Sequence, residues 1–213
     1  MTYFLDSNVI IGYYFACGDS QGRSSIRVFE TPEGKYSSNN VWAECWGSGD
    51  AGRCRTISYE IAGEFSISIY YLTTGEYSAD DLLIAAISEK LRISEIIEYL
   101  HERYSNNLKT FINRLRAAQR KYENDCNTRK NELNNSSILT IHHRTNTYPV
   151  QEQHFDKHIP DHTDVLILLD AHDLGIIIQD LVFVSGDGSH ILANKDSILQ
   201  LSSFRRIVSV NSI

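Results

Sequence analysis

The strongest constraint on the fold of this chain is a set of short apolar runs next to carboxylates. Residues 2–5 run directly into Asp6, and the apolar run at 181–184 leads to Asp187. Asp164 opens a further apolar stretch. Open α/β sheets place their ligand sites at the carboxyl ends of the strands. Several acids at one such edge repel each other unless a divalent cation joins them, so the pattern predicts a hard metal site.

Composition favours one soluble domain. With 213 residues, 42% of them hydrophobic and 22% charged, the chain can bury a sizeable core. Its apolar runs are too short to cross a bilayer, and no basic secretory segment opens it, so we expect no membrane association. The spacing of Cys17, Cys45, Cys54 and Cys126 fits neither a zinc site nor a disulfide scaffold, which predicts reduced thiols in a cytoplasmic protein.

Hydrophobic periodicity alternates between strand and helix patterns. Strands are predicted at residues 2–6, 138–141, 181–184 and 206–210. A further short strand, together with the cap of the helix that follows it, is predicted at residues 36–40. Helices are predicted at about 9–16, from 41 onward, throughout 47–133 and at about 163–174. We expect Ser7 or Asn8 to cap the first helix, and residues 18–34 to be mostly loop with a turn of helix near 24–29. Strands separated by helices favour a parallel sheet with helices on both faces.

Four short motifs, each centred on an acidic residue, occur in a characteristic order along the chain. The first is Phe4-Leu5-Asp6-Ser7-Asn8, a strand ending in an acid. The second is Glu44, expected in the first turn of the helix after the second strand. The third is Asp164, which opens a helix that runs through Gly175. The fourth is a strand ending in Ser185, with Asp187 two residues on. In this order the motifs resemble the PIN-domain family of metal-dependent nucleases.

The resemblance implies a fold and a site. The fold is α/β, a PIN-like three-layer α/β/α domain with a central parallel sheet. It spans 1–213 as a single domain, with an enlarged helical insertion at about 50–133. The implied catalytic and metal-binding residues are Asp6, Glu44, Asp164 and Asp187, holding Mg²⁺ or Mn²⁺. Asn8, Ser185 and Asp161 are expected to support these ligands, Asn8 by holding Asp6 or contacting the scissile phosphate and Ser185 by hydrogen bonding. Asp161 and Asp170 also compete with Asp164 for the third position.

The implied activity is metal-dependent endoribonuclease cleavage of RNA phosphodiester bonds. The enzyme is then either the toxin of a toxin–antitoxin pair, with an antitoxin protein as partner, or an RNA-processing enzyme, and a homodimer is possible. The alternative is a catalytically weak PIN-like domain that binds RNA or a protein. A phosphatase would require an Asp-x-Asp pair, whereas Asp6 is followed two residues on by Asn8.

Each acid also has a plain structural interpretation. Asp6 can belong to a simple strand–helix junction, Glu44 can pair with a helix dipole, and Asp187 can be a turn residue. Asp164 can be an ordinary helix-start acid. Asp173, further along the same helix, is expected to face solvent.

Two further clusters stand out. His154, His158 and His162 have a spacing compatible with zinc if helical, but Pro160 interrupts it, so loop histidines near a substrate groove are the preferred interpretation. Residues 103–130 carry eight basic side chains against two acidic ones, in a chain of net charge −7.

Within that basic segment, helical spacing places Lys109, Arg116 and Arg120 on one stripe. The apolar residues 111, 115, 118 and 122 fall on another. The basic stripe is either an RNA-binding ridge or a solvated face paired with nearby acids.

Overall fold

A computed structural model describes residues 1–16, 20–47 and 52–213 of the chain. The five strands among these residues form one parallel sheet in the order β3-β2-β1-β4-β5. Their bounds are β1 Thr2–Leu5, β2 Gly34–Ser38, β3 Thr140–His142, β4 Leu181–Ser185 and β5 Arg206–Ser209. The parallel sheet predicted from the sequence is therefore confirmed. Cys17 lies outside the described residues.

Ten α-helices accompany the sheet within the described ranges, with a short 3₁₀ helix at the end. They are α1 Ser7–Phe15, α2 Ser20–Glu30, α3 Asn39–Trp46, α4 Arg53–Thr74, α5 Ala79–Ser88, α6 Ser94–Tyr104, α7 Leu108–Leu133, α8 Pro149–Asp156, α9 His162–Ile177 and α10 Lys195–Leu199. No helix in the described part of the chain is both long and apolar enough to span a membrane.

The centre of the sheet explains its apolar sequence. All five residues of β4 are buried, as are the last three of β1. Phe4 and Phe183 stack across these neighbouring strands with ring centroids 5.6 Å apart. Strands buried on both faces need helices on both faces. The architecture is therefore compatible with a three-layer α/β/α arrangement.

Four consecutive helices, α4 to α7, form a helical arm between β2 and β3. Helix α7 packs against both α4 and α6, and α5 packs against α6. Ser78 and Asp81 form a reciprocal capping box that starts α5, because each side chain accepts from the other residue's backbone N–H.

Three local predictions were wrong. Residues 20–30 are a helix rather than mostly loop, since small side chains such as Ser24 and Ser25 let it lie closely against α1. His154, expected in a loop, lies in α8, which begins at Pro149 and is anchored by the buried Phe155. The cap of α1 is Asp6, not Ser7 or Asn8.

Candidate metal centre

Asp6 lies fully buried at the carboxyl end of β1. Its Oδ1 accepts a hydrogen bond of 2.7 Å from the backbone N–H of Ser7, which caps α1. Its Oδ2 accepts from the Ser185 hydroxyl at 2.6 Å and from the Asn8 amide at 3.3 Å. The β1–β4 pairing brings Ser185 there, because Leu5 and Val184 are partners in the ladder. Asn8 and Ser185 thus hold Asp6.

The Asp6 carboxyl nevertheless ionises less readily than an ordinary aspartate. Burial and the charge of Glu44 together raise its pKa to about 6, although the hydrogen bond from Ser185 opposes them. Burial outweighs the donors that favour the anion, so a further cation at this site would help the carboxylate to form.

Asp164 sits in the first turn of α9, whose cap is the exposed Asp161. Burial raises the pKa of Asp164 to about 7, and the charges of Asp6, Asp161, Glu44 and Asp187 raise it as well. Four carboxylates from separate parts of the sequence therefore act on this one side chain. Like charges held this close favour either a proton or a cation between them.

Asp187 completes the closest group of ligand atoms. The ligand atoms of Asp164, Asp187 and His190 lie within 4.8 Å of one another. Asp187 Oδ1 accepts from the backbone N–H groups of Ser189 and His190 and from the Ser189 hydroxyl. Although burial opposes it, these hydrogen bonds leave the pKa of Asp187 below its ordinary value. Asp187 is thus readily ionised, whereas the neighbouring Asp164 is not.

Sequence reasoning missed His190 as a ligand. It was one of seven histidines between residues 142 and 190, and its position three residues after Asp187 is the signal that singles it out. Its Nδ1 lies 3.4 Å from an Asp187 carboxylate oxygen.

Glu44 is held in a different way from the other acids. It lies in the second turn of α3, not the first as predicted, because the helix begins at Asn39. Its Oε1 forms an ion pair of 2.6 Å with Arg53, while its Oε2 is buried with no hydrogen-bond partner. A buried carboxylate oxygen without a partner is an expected place for a missing ligand.

Arg53, the first residue of α4, is the second side chain that sequence reasoning missed. Its guanidinium also donates to Ser7 Oγ at 3.3 Å and to Asn8 Oδ1 at 3.1 Å. It supplies one positive charge against the cluster of acids. No local pattern marks it, since the contact depends on how α4 meets α1 and α3.

The donor set fits a hard divalent cation. Carboxylate oxygens with one imidazole suit Mg²⁺ or Mn²⁺, and imidazole shifts the preference toward Mn²⁺. The orphan oxygen of Glu44 and the raised pKa of Asp164 both indicate a missing positive charge. Asp164, Asp187 and His190 would hold the ion directly, and the charges of Asp6 and Glu44 act on the same group through Asp164.

Of the alternative zinc histidines, His154 and His158 lie side by side with ring centroids 5.0 Å apart, but His162 does not join them. His154 Nε2 bonds the Ser197 carbonyl oxygen at 2.7 Å, and Pro160 separates α8 from α9. His162 instead joins Glu152 and Asp156 in an acidic group on the surface.

Asp170 and Asp173 are buried on the far part of α9. Asp173 accepts from His142 at 2.8 Å and from Tyr148 at 2.5 Å, so the prediction that it faces solvent was wrong. The central position of α9 explains this, because residues 167–175 are all buried. Asp170 binds Asn40 and Arg144, so its partners are not those of Asp164.

Comparison with known proteins does not assign the chain to a family. No family model matches the chain, and no curated protein or solved structure matches it at a significant level. The functional argument therefore rests on the site itself.

Proposed function

We propose that this protein is a Mg²⁺- or Mn²⁺-dependent endoribonuclease of the PIN type. One observation carries the proposal: carboxylates from four separate parts of the chain act on one another at the carboxyl edge of a parallel sheet, where burial and these neighbouring charges raise the pKa of Asp164 to about 7. The sequence motifs that resemble PIN nucleases supply those same residues. RNA as the substrate comes from that resemblance.

A bound divalent ion would activate a water and stabilise charge on the scissile phosphate. The protein's own residues prepare the site for it. Ser185 and Asn8 fix the orientation of the Asp6 carboxylate, and the backbone N–H groups of residues 189 and 190 fix Asp187. Because hydrogen bonds lock these carboxylates, little reorganisation is needed during the reaction.

Arg53 gives the site a contact for phosphate. Its side chain is 43% exposed at the rim while pairing with Glu44. When a cation satisfies Glu44, the guanidinium is free to donate to a phosphate oxygen, for which its planar fork is suited.

Two biological settings agree with this chemistry, and both are part of the proposal. A toxin would have an antitoxin protein as a further partner, while an RNA-processing enzyme would act alone or as a homodimer, in either case in the cytoplasm. The Arg53–Glu44 ion pair favours a second candidate, a weakly active RNA-binding domain, because it occupies one acid of the site.

Cleavage of end-labelled single-stranded RNA tests the proposal. We expect cleavage in Mg²⁺ or Mn²⁺, none in EDTA, and a loss of at least about 100-fold in Asp164→Asn, since even partners of metal ligands cost 10–100-fold. Asp180→Asn is the matched control, because Asp180 is exposed and pairs with Arg205.

Equal rates in wild type and Asp164→Asn would show that a contaminant cleaves the RNA. Metal-dependent RNA binding without cleavage would favour the second candidate. DNA of the same sequence, tested in parallel, shows whether the substrate class is RNA.

A further inference from the structure

Helix α7 presents three exposed cations on one face. Lys109, Arg116 and Arg120 recur at i, i+7 and i+11. In the described part of the chain no carboxylate lies within ion-pairing distance of any of them, whereas Lys121, on a neighbouring face of the helix, pairs with Asp125 at 2.6 Å. These three cations are available to an external anion.

Helix α4 presents two exposed tyrosines on its outer face. Tyr59 is 66% exposed and Tyr70 is 56% exposed, and their i, i+11 spacing puts them in one row. The Arg55 guanidinium lies 5.6 Å from the centroid of the Tyr59 ring. Gly63, between them, has nothing within 4 Å of where a Cβ would be, so the row is open to solvent.

Two of the three cations line an open cleft between α4 and α7, and the two tyrosines lie on the exposed face of α4 outside that lining. The cleft has a volume of about 470 Å³ and is lined by Ser66, Ile69, Arg116, Gln119, Arg120 and Glu123. Glu123 is its one acid, and it accepts a hydrogen bond from Gln119 at 3.3 Å. Ser66 lies on the same side of α4 as the tyrosine row, seven residues after Tyr59.

The cleft is connected to the metal centre by α4 itself. Arg53 begins α4 and contacts Ser7, Asn8 and Glu44. At about 1.5 Å of rise per residue, Tyr59 lies roughly 9 Å and Ser66 roughly 20 Å along the helix from Arg53. A strand leaving the metal centre along α4 therefore meets Tyr59 first and the cleft next.

We propose that Tyr59, Tyr70, Lys109, Arg116 and Arg120 form a track that binds single-stranded RNA leading away from the scissile phosphate. The inference rests on the proposed ribonuclease function and names the form of its substrate. Cations neutralise phosphates, and exposed aromatic rings stack on unpaired bases. The rest of the chain is strongly acidic and repels a polyanion, so the track is where a nucleic acid is accepted.

The two parts of the track distinguish among ligands. A duplex hides its base faces and gives the tyrosines nothing to stack on, and an acidic protein would need the cations alone. The combination of both parts points to a single strand.

Binding is best measured in the Asp164→Asn background, which prevents cleavage. The probe is a fluorescent, unstructured RNA of about 16 nucleotides, at the upper end of common single-strand site sizes. Arg116→Gln/Arg120→Gln should weaken binding and flatten its salt dependence by roughly 1.4 log units per log unit of salt, since each single-strand contact contributes about 0.7. Tyr59→Ala should weaken binding at least about fivefold.

Matched controls remove the same groups elsewhere on the arm. Arg103→Gln/Lys121→Gln deletes two arm cations that pair with acids, and Tyr99→Ala deletes a tyrosine that is 55% exposed. Both controls should bind RNA like the parent. Track variants that bind as tightly as the controls would overturn the inference, as would equally tight binding of a duplex.

Cleavage in the wild-type background separates this inference from the proposed function. Track variants should lose activity on the long RNA while cutting a fragment of about 4 nucleotides around the mapped site at the parental rate. If the parent cuts neither RNA, the ribonuclease proposal fails and the binding measurements still decide the track. If track variants cut both RNAs at the parental rate, the track is wrong and the ribonuclease stands.

Discussion

At the residue scale, Asp164 is the side chain whose pKa is raised by burial and by four neighbouring carboxylates. Its position in the first turn of α9 is favourable to the helix dipole, by about 0.3–1 kcal/mol for an exposed acid. Repulsion and burial outweigh that gain, because the pKa of Asp164 rises to about 7 instead of falling. The folded protein therefore holds a proton on Asp164 that the unfolded chain releases near pH 4.

This difference predicts how metal-free stability depends on pH. Between about pH 4 and 7 the folded state binds more protons at Asp164, so the free energy of unfolding falls as pH rises through that window. Asp6, with its pKa raised to about 6, adds the same sign between about pH 4 and 6. Asp164→Asn should remove its part of this penalty.

Thermal unfolding in EDTA measures the effect. Asp164→Asn should be more stable than wild type at pH 8 by roughly 1–3 kcal/mol, after allowing for solvent screening of this partly exposed carboxylate. The gain should shrink toward pH 4, and Asp180→Asn should show none of it. A variant that is less stable than wild type at pH 8 would mean that the acids are not in conflict.

Metal should stabilise wild type more than Asp164→Asn and so oppose that difference. At about 100 times its dissociation constant, Mn²⁺ stabilises the folded state by roughly 2.7 kcal/mol, or about 5–10 °C for a chain of this size. Asp6→Asn and Asp164→Asn should reduce this gain, while Asp180→Asn keeps it. Identical melting curves for wild type with EDTA and with millimolar Mn²⁺ would contradict a metal site.

The parts of the site that could be predicted from the sequence are the residues at the ends of the strands. Asp6 and Ser185 end neighbouring parallel strands, so their meeting follows from the topology alone. Arg53 and His190 depend on loop and helix placement, and neither has a periodic signal. Asp173 was misjudged because helical spacing cannot show that another segment, carrying Tyr148, covers a helix face.

At the element scale, α9 packs unusually closely against the chain that precedes β5. A Cβ on Gly175 would lie 2.8 Å from the backbone nitrogen of Phe204 and 2.8 Å from the carbonyl carbon of Ser203. Backbone atoms at that distance cannot move aside cheaply. Glycine is therefore required here by close approach, since its own backbone conformation is ordinary.

Gly175→Ala and Gly63→Ala form a matched pair. Gly175→Ala should destabilise by about 1–3 kcal/mol because the core is overpacked. Gly63→Ala, in the middle of α4 with open space where the Cβ would lie, should stabilise by about 0.5–1 kcal/mol because alanine favours a helix. Urea unfolding measures both, and a shift of the same sign in the two variants would contradict the packing described for α9.

Elements with a strong periodic signal were predicted well, and those held by packing were not. The apolar stripe of α7 ends up on its buried side, with Phe111 and Leu115 fully buried. Helix α2 has a serine-rich sequence that is typical of a loop, and its contact with α1 decides its structure. Local propensity is too weak to overrule such contacts.

At the scale of the whole molecule, charge is divided between two regions. The sheet edge concentrates carboxylates, and the basic residues concentrate on the arm between residues 103 and 130. Helix α4 joins the two, because it starts at the acids and packs along α7. Under the proposed nuclease function, a metal ion would neutralise the first region and a phosphate chain the second.

Anomalous diffraction from crystals soaked in Mn²⁺ tests the central claim most directly. We predict a peak within about 2.0–2.6 Å of carboxylate oxygens of Asp164 and Asp187, facing Asp6 and Glu44, and its loss in Asp164→Asn. The surface group of Glu152, Asp156 and His162 serves as an internal comparison. A peak there with none at Asp164, at the same Mn²⁺ concentration, would contradict the account.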